Sequence, residues 1–240
     1  MINCYGIQLS NWHPNATLPQ ALGTIWGYAM LDTQLDNFKL RQVFWENEDT
    51  NTIVNEIVDP DMLVCSCYVW NWPTTYEVIK QIKSKFPNCL IVIGGPEPKY
   101  SVEWMQQHTD IDILIPYYGE QVFTNVLREY NDKKEYNSLD GVITQQVYNK
   151  SLPKIDYDAI PSPYLNGFFD DLVLNKREQT KGVRCVFESN RGCPYSCVFC
   201  DIGAKAYQKV KKFDLARIEK ELEWIVTNNI KVVDVADANF

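Results

Sequence analysis

The chain has 240 residues, 45% of them hydrophobic, and its 31 acidic and 23 basic residues give a formal charge of −8. That length suits one large domain or two modest ones with a packed core, and the acidic balance argues against a general nucleic-acid or anionic-membrane binder. No basic n-region followed by an apolar run opens the chain, and no stretch of about 18 apolar residues occurs, so neither a signal peptide nor a membrane span is expected and a cytoplasmic location follows.

In chain order, a strand is expected over 3–9, a helix over 19–31 with Pro19 in its first turn, a strand over 38–45 and a short helix over 50–58. A buried strand follows over 61–70, then a helix over 73–86 with apolar Val78, Ile79, Ile82 and Phe86, and a strand over 89–95 that closes on a glycine pair. A short helix over 102–108, a strand over 111–116, a helix over 120–130 and a short strand over 140–145 complete this part. Strands alternating with helices imply crossover connections and a mostly parallel sheet. The near-continuous apolar runs at 61–70 and 89–93 suit strands buried on both faces. The fold class is therefore α/β, with a doubly wound, Rossmann-like parallel sheet over 1–148.

The texture then changes. Residues 149–181, with Pro153, Pro161 and Pro163 and no strong periodicity, read as a linker. The region 182–240 reads as a strand over 182–189, a cysteine-bearing loop, a helix over 214–229 capped by Asp214, and a strand over 230–240. Leu215, Ile218, Leu222 and Ile225 make one apolar stripe on that helix. One strand–helix–strand unit cannot close a barrel or cover its own faces, and its last strand would be an open edge. The expectation is that the chain is cut inside a larger second domain; the alternative is that this unit completes the first sheet.

Of the eight cysteines, Cys4, Cys65, Cys67, Cys89 and Cys185 lie in apolar, strand-like runs and read as small buried hydrophobes. The other three, Cys193, Cys197 and Cys200, are spaced C-x3-C-x2-C in NRGCPYSCVFC. A structural zinc site prefers four ligands, and the chain's histidines, His13 and His108, are far away in sequence. A thioredoxin-like C-x-x-C leaves Cys193 unexplained. A 4Fe-4S cluster fits better, because three thiolates leave one iron open for reaction. The loop follows a strand, the end of a parallel sheet where sites lie. A zinc-binding module or an inactive fragment remains as the alternative.

RGCPYSCVFC resembles the signature of the radical S-adenosylmethionine (radical SAM) superfamily, with Phe199 at the usual hydrophobic position. The resemblance implies that 182–240 is the start of a partial (β/α) TIM barrel. It implies that Cys193, Cys197 and Cys200 ligate a 4Fe-4S cluster whose fourth iron chelates S-adenosylmethionine. Reductive cleavage would then yield methionine and a 5′-deoxyadenosyl radical, fed by an electron donor such as flavodoxin or ferredoxin. Phe199 would border the adenine. The glycine-rich segment usual after the second barrel strand is replaced by DVADANF, where Asp237 or Asn239 could serve instead.

A doubly wound domain ahead of such a loop resembles the cobalamin (B12)-binding subgroup of that superfamily. IGGPEP and IPYYGEQVF carry this resemblance, which implies cobalamin contacts at Gly94, Gly95, Gly119 and Glu120. Glycines at a strand end let a flat ligand approach the backbone. A D-x-H-x-x-G segment is absent, and neither His13 nor His108, expected at a surface helix end, stands in such a motif. Trp12, Trp70 and Trp72, after strand ends, could line a flat cavity, with packing as the plainer role. The implied activities are cobalamin-dependent methyl transfer, radical cyclisation or rearrangement, on a small-molecule or peptide substrate, with no nucleic-acid or membrane partner.

Overall fold

A strand that is apolar on both faces needs helices on both sides of its sheet, and this requirement organises the N-terminal half of the chain. The computed structural model describes residues 1–10, 16–177, 182–195, 197–200 and 210–238. In chain order its strands are β1 (Ile2–Ile7), β2 (Ala16–Thr17), β3 (Phe38–Phe44), β4 (Met62–Ser66), β5 (Leu90–Gly94), β6 (Ile113–Ile115), β7 (Val183–Phe187), β8 (Asn190–Arg191), β9 (Lys211–Lys212) and β10 (Val232–Val235). Its α-helices are α1 (Gln20–Ala29), α2 (Thr50–Glu56), α3 (Trp72–Lys85), α4 (Val102–Gln107), α5 (Glu120–Asp132), α6 (Asp170–Arg177) and α7 (Leu215–Thr227).

The main sheet has the order β3-β1-β4-β5-β6, and every pairing in it is parallel. Side-chain alternation splits its core in two. Leu63, Cys65, Ile91 and Ile93 point to one face with Ile53 of α2, Val78, Ile79 and Ile82 of α3 and Met105 of α4. Met62, Val64, Leu90 and Val92 point to the other, with Leu22 and Ala29 of α1 and Val122, Phe123, Val126 and Leu127 of α5. The order reverses beside β1: the chain moves out to β3 and returns on the far side of β1 to β4. Such a reversal opens a crevice at the carboxyl ends of the strands.

Two expected strands are shorter or different. β4 stops at Ser66 rather than Trp70, because the buried Asn71 side chain closes a turn there: its Nδ2 donates to Ser66 O (3.0 Å) and its Oδ1 accepts from Tyr68 N (2.8 Å). The segment expected as a strand over 140–145 makes only antiparallel bridges, Leu114 with Ile143 and Ile143 with Tyr148.

The cysteine-bearing region forms its own sheet, in the order β10-β7-β2, all parallel. It neither stands as a two-strand piece nor extends the main sheet, because β2, from the connection between β1 and α1, covers the second edge of β7. A third core joins Leu18 and Trp45 to Tyr164, Phe169, Cys185, Phe187 and Ile225. The stretch read as a linker therefore contributes core: it carries α6, and the ring of fully buried Tyr164 meets Phe169 and Trp224 edge-on at 5.0 and 5.2 Å. Pro161 and Pro163 cross α1 where that helix carries Gly27 and Gly23. A methyl group on Gly23 would sit 2.8 Å from Pro163 Cβ and 2.9 Å from Phe168 Cδ1. Gly23→Ala is expected to lose about 1 kcal/mol of stability in urea unfolding. Overpacking of about 1–3 kcal/mol outweighs the roughly 1 kcal/mol gained in helix propensity; a stabilised variant would contradict the close crossing.

Candidate active site

The carboxyl ends of both sheets open onto one cavity of about 1030 Å³, at the upper end of the roughly 300–1,000 Å³ usual for small-molecule sites. Its wall is made by Gln20, Ala21, Leu22, Thr24 and Ile25 of α1, Val64 to Ser66 of β4, Val92 to Gly94 of β5 with Gly95 after it, and Tyr117 to Glu120 ahead of and within α5. The opposite side is Val186, Glu188, Arg191, Cys197, Val198, Cys200 and Ala236. Gly94, Gly95, Gly119 and Glu120 thus all border the same space as Cys197 and Cys200.

Backbone geometry explains the glycine pair only in part. Gly95 has φ +103°, and a side chain there would run into the backbone of Cys67, 2.8 Å from its amide nitrogen. A methyl group on Gly94 would lie 3.2 Å from Ile115 O, and at Gly119, φ −90°, one would make ordinary contacts. Tyr117 adopts φ +60°, a left-handed conformation rare for an aromatic residue. Its ring packs edge-on against Tyr100 at 5.3 Å, and both rings border the cavity.

The polar corner is built around Arg191. Its guanidinium is paired with Glu120 of α5, and its Nε donates to Glu188 Oε2 at 2.8 Å. The Arg191 and Glu120 side chains are only 10% and 4% exposed, which makes this a buried ion pair. Desolvation works against the guanidinium charge, but attraction to Glu120 and Glu188 outweighs it and its pKa is raised. Burial also raises the Glu188 carboxyl above the ordinary glutamate range, and nearby Arg191 offsets this only in part. Removing one partner of such a buried pair costs about 3–5 kcal/mol. Two further buried acceptors in residues that line the cavity, Gln20 Oε1 and Glu120 Oε2, have no hydrogen-bond partner among the described residues.

The cysteine loop leaves β7 through a short clip. β8 and β9 pair antiparallel, Asn190 with Lys212 and Arg191 with Lys211, so both ends of the loop are tied together. Gly192, at φ +93°, turns the chain into the loop. Cys193 is half-buried, while Cys197 and Cys200 are exposed; all three are free thiols. Among the described residues no group of three His, Cys, Asp or Glu side chains is gathered as a metal site. The donor set nevertheless suits a thiolate-ligated cluster: three free cysteines within eight residues of chain, two of them, Cys197 and Cys200, bordering the cavity. The five other cysteines are buried, and burial pushes the thiols of Cys4 and Cys89 up to about 12 and that of Cys185 to about 11. Burial that raises a thiol's pKa disfavours the thiolate that a metal needs.

Other expected residues fall as follows. The Asp237 carboxylate accepts from Ser189 N (2.7 Å), Asn190 N (3.1 Å) and the Ser189 hydroxyl, pinning the turn that leads into the loop. Phe199 is 89% exposed and stands outside the cavity lining. Trp70 stacks on Tyr68 at 4.6 Å, and Tyr68 lines the cavity. Trp72 opens α3 and stacks on Tyr76 at 4.9 Å, away from it. His108, expected at the surface, is half-buried, stacked on Trp104 at 3.8 Å with Nδ1 2.8 Å from Trp104 O, because α3 and α4 close an aromatic cluster over it. Trp12, His13 and Asn239 lie outside the described residues. The sequence does not single out Glu188, Arg191 or the Tyr117–Tyr118 pair, although Arg191 stands in the RGCP lead-in and the two tyrosines in IPYYGEQVF.

Residues 27–127 match the B12 binding domain family, so the main sheet and its helices are a B12-binding domain in class. The cobalamin-dependent radical SAM methyltransferase TokK of Streptomyces tokunonensis is 34% identical over 93% of this chain. The 2-(S-pantetheinyl)-carbapenam-3-carboxylate methyltransferase of Streptantibioticus cattleyicolor is 32% identical over 93%. The chain spans about a third of the length of these curated relatives, 34% in both cases. Its fold is shared by the cobalamin-dependent S-adenosylmethionine radical enzyme OxsB with aqua-cobalamin bound, at TM-score 0.76 and 18% identity, over all of this chain and 34% of that one. It is shared also by the radical S-adenosylmethionine methyltransferase TsrM of Kitasatospora setae, at TM-score 0.67 and 16% identity, over 99% of this chain and 48% of that one. The family match and these relatives together support the cobalamin-binding subgroup of the radical SAM superfamily for this chain.

Two outcomes follow from this geometry. Gly95→Ala is expected to destabilise the chain by about 2–3 kcal/mol, through left-handed strain and the clash with Cys67, read as a lowered urea midpoint. Glu188, with its folded pKa raised, contributes stability that is full below about pH 4.5 and is lost as pH rises through the raised value. Glu188→Gln should flatten that dependence, so its melting temperature minus that of the wild type should climb from about pH 4.5 upward. A difference that does not change with pH would contradict the burial of this carboxyl.

Proposed function

We propose that this chain is the cofactor-bearing part of a cobalamin-dependent radical SAM methyltransferase acting on a small-molecule substrate. The observation that carries this reading is that the strand ends of the B12-binding domain and two cysteines of the C-x3-C-x2-C loop border one cavity. The names of the curated relatives, both methyltransferases, support methyl transfer over cyclisation or rearrangement.

In this reading the cavity holds cobalamin, and Cys193, Cys197 and Cys200 hold a 4Fe-4S cluster beside which S-adenosylmethionine binds. Together these groups supply a methyl-carrying cobalt and one-electron chemistry, the work that cofactors perform in such enzymes. The protein's part is to bind, orient and exclude water. Gly95, and Gly94 beside it, keep the floor of the cavity free of side chains, so a flat macrocycle can lie against the backbone. Tyr68, Tyr100, Tyr117 and Tyr118 give broad apolar walls with polar tips. Among the described residues Gln20 Oε1 and Glu120 Oε2 are acceptors without N–H donors, and the peripheral amides of a corrin carry such donors. Among the described cavity-lining residues there is no histidine, so none of these offers cobalt an imidazole. Asp237, just past β10, accepts from Ser189 N and Asn190 N and so holds the turn that starts the cysteine loop. Electrons would come from a flavodoxin- or ferredoxin-type donor.

The test is anaerobic reconstitution followed by titration with aquacobalamin. The expected result is roughly four irons and four sulfides per chain, with saturable cobalamin uptake at one per chain seen as a shift in the corrin absorbance. Cys193→Ala, Cys197→Ala and Cys200→Ala should each strip the iron and leave cobalamin uptake in place. Stoichiometric zinc without sulfide, or no cobalamin bound at micromolar ligand, would overturn the reading.

A further inference from the structure

We propose that Arg191 is a positioning residue that clamps the cysteine loop to the wall of the cavity through Glu120; this rests on the reading of cavity and loop as one site. The two partners of Arg191 come from different bodies of the fold. Glu188 follows β7 on the same sheet as the loop, whereas Glu120 opens α5 of the B12-binding domain, 71 residues earlier in sequence. The guanidinium lies 5.7 Å from the Tyr118 ring on the cavity wall and 5.7 Å from the Phe213 ring, which follows β9. It therefore touches the cavity wall, the strand that launches the loop and the segment that receives it.

The position in sequence matters as much as the contacts. Arg191 is the last residue of β8, and its backbone pairs with Lys211 at the far end of the loop. Gly192 follows at φ +93°, a pivot with no side chain to hold its direction, and Cys193 comes next. Fixing Arg191 thus fixes where the loop leaves. A planar guanidinium can serve two carboxylates at once from a rigid fork, whereas a lysine ammonium on its flexible stem is a single point charge. Cys197 and Cys200 on the cavity wall are downstream of this anchor, so the separation of the loop from the cavity depends on it.

Hydrogen exchange on the cofactor-free protein tests the clamp without reference to any cofactor. Glu120→Gln, which keeps shape and volume, is expected to speed exchange about tenfold across 188–192 and 211–213 while leaving 62–66 and 90–94 unchanged. Arg191→Met should do the same and also loosen 119–123, with Arg191→Lys between it and the wild type. Exchange at 188–192 unaltered in Glu120→Gln, or loosening in Arg191→Met confined to 188–192, would overturn the proposal. A readout that a merely structural role would not move is the electron-spin distance distribution between bound cob(II)alamin and the reduced cluster. It should broaden in Arg191→Met and narrow again in Arg191→Lys, and equal widths in all three proteins would overturn the proposal. A wild type that takes up neither group overturns the functional reading instead, and the exchange measurements alone then decide the clamp.

Discussion

A guanidinium buried between two carboxylates holds only while all three groups stay in place, and here the three come from both sides of the molecule. Glu120 belongs to the helix that follows β6, Glu188 to the turn after β7 and Arg191 to β8 beyond it. Desolvating these charges is costly, and their mutual attraction repays that cost only at close range. The pair therefore sets the relation between the two sheets more sharply than apolar packing can, because burial of hydrophobic surface has no direction. The proline-rich strap and β2 supply the non-directional part, through Tyr164, Phe169 and the edge pairing with β7.

That relation is what makes a site. Parallel strands gather their carboxyl ends on one edge, and ligands bind outside that edge where strand order reverses. In this chain two parallel sheets turn those edges toward the same space. One brings glycines and tyrosines to the wall, the other brings the mouth of a cysteine loop. A cofactor held by the first sheet would therefore be presented to a cluster held by the second. Under the proposed function, methyl carriage and one-electron chemistry would share that enclosure.

Much of the B12-binding domain was legible because its strands and helices are long and periodic. β5 and α3 were readable from apolar runs and from the spacing of Val78, Ile79 and Ile82. The glycines at 94, 95 and 119 were readable as strand-end features, and the structure places them on the cavity wall. The elements that deviated were decided by contacts remote in sequence or by one side chain. Asn71 ended β4 four residues before its apolar run did. Residues 149–181 lacked periodicity, yet Tyr164 and Phe169 are core because another segment covers them. No pattern in the sequence pairs Ala16 and Thr17 with a strand beyond position 180.

The sequence by itself determined the alternating α/β order, the burial of five cysteines and the exposure of a loop with three more. Each is a local property: period, propensity, and the incompatibility of glycine and proline with regular structure. Only the tertiary structure decided that Glu120 meets Arg191, that Asp237 caps the turn before the loop rather than standing free, and that loop and glycines face one cavity. Those outcomes depend on which distant groups are buried together, and a charge's partner is chosen by the desolvation that folding imposes, which no single stretch of sequence records.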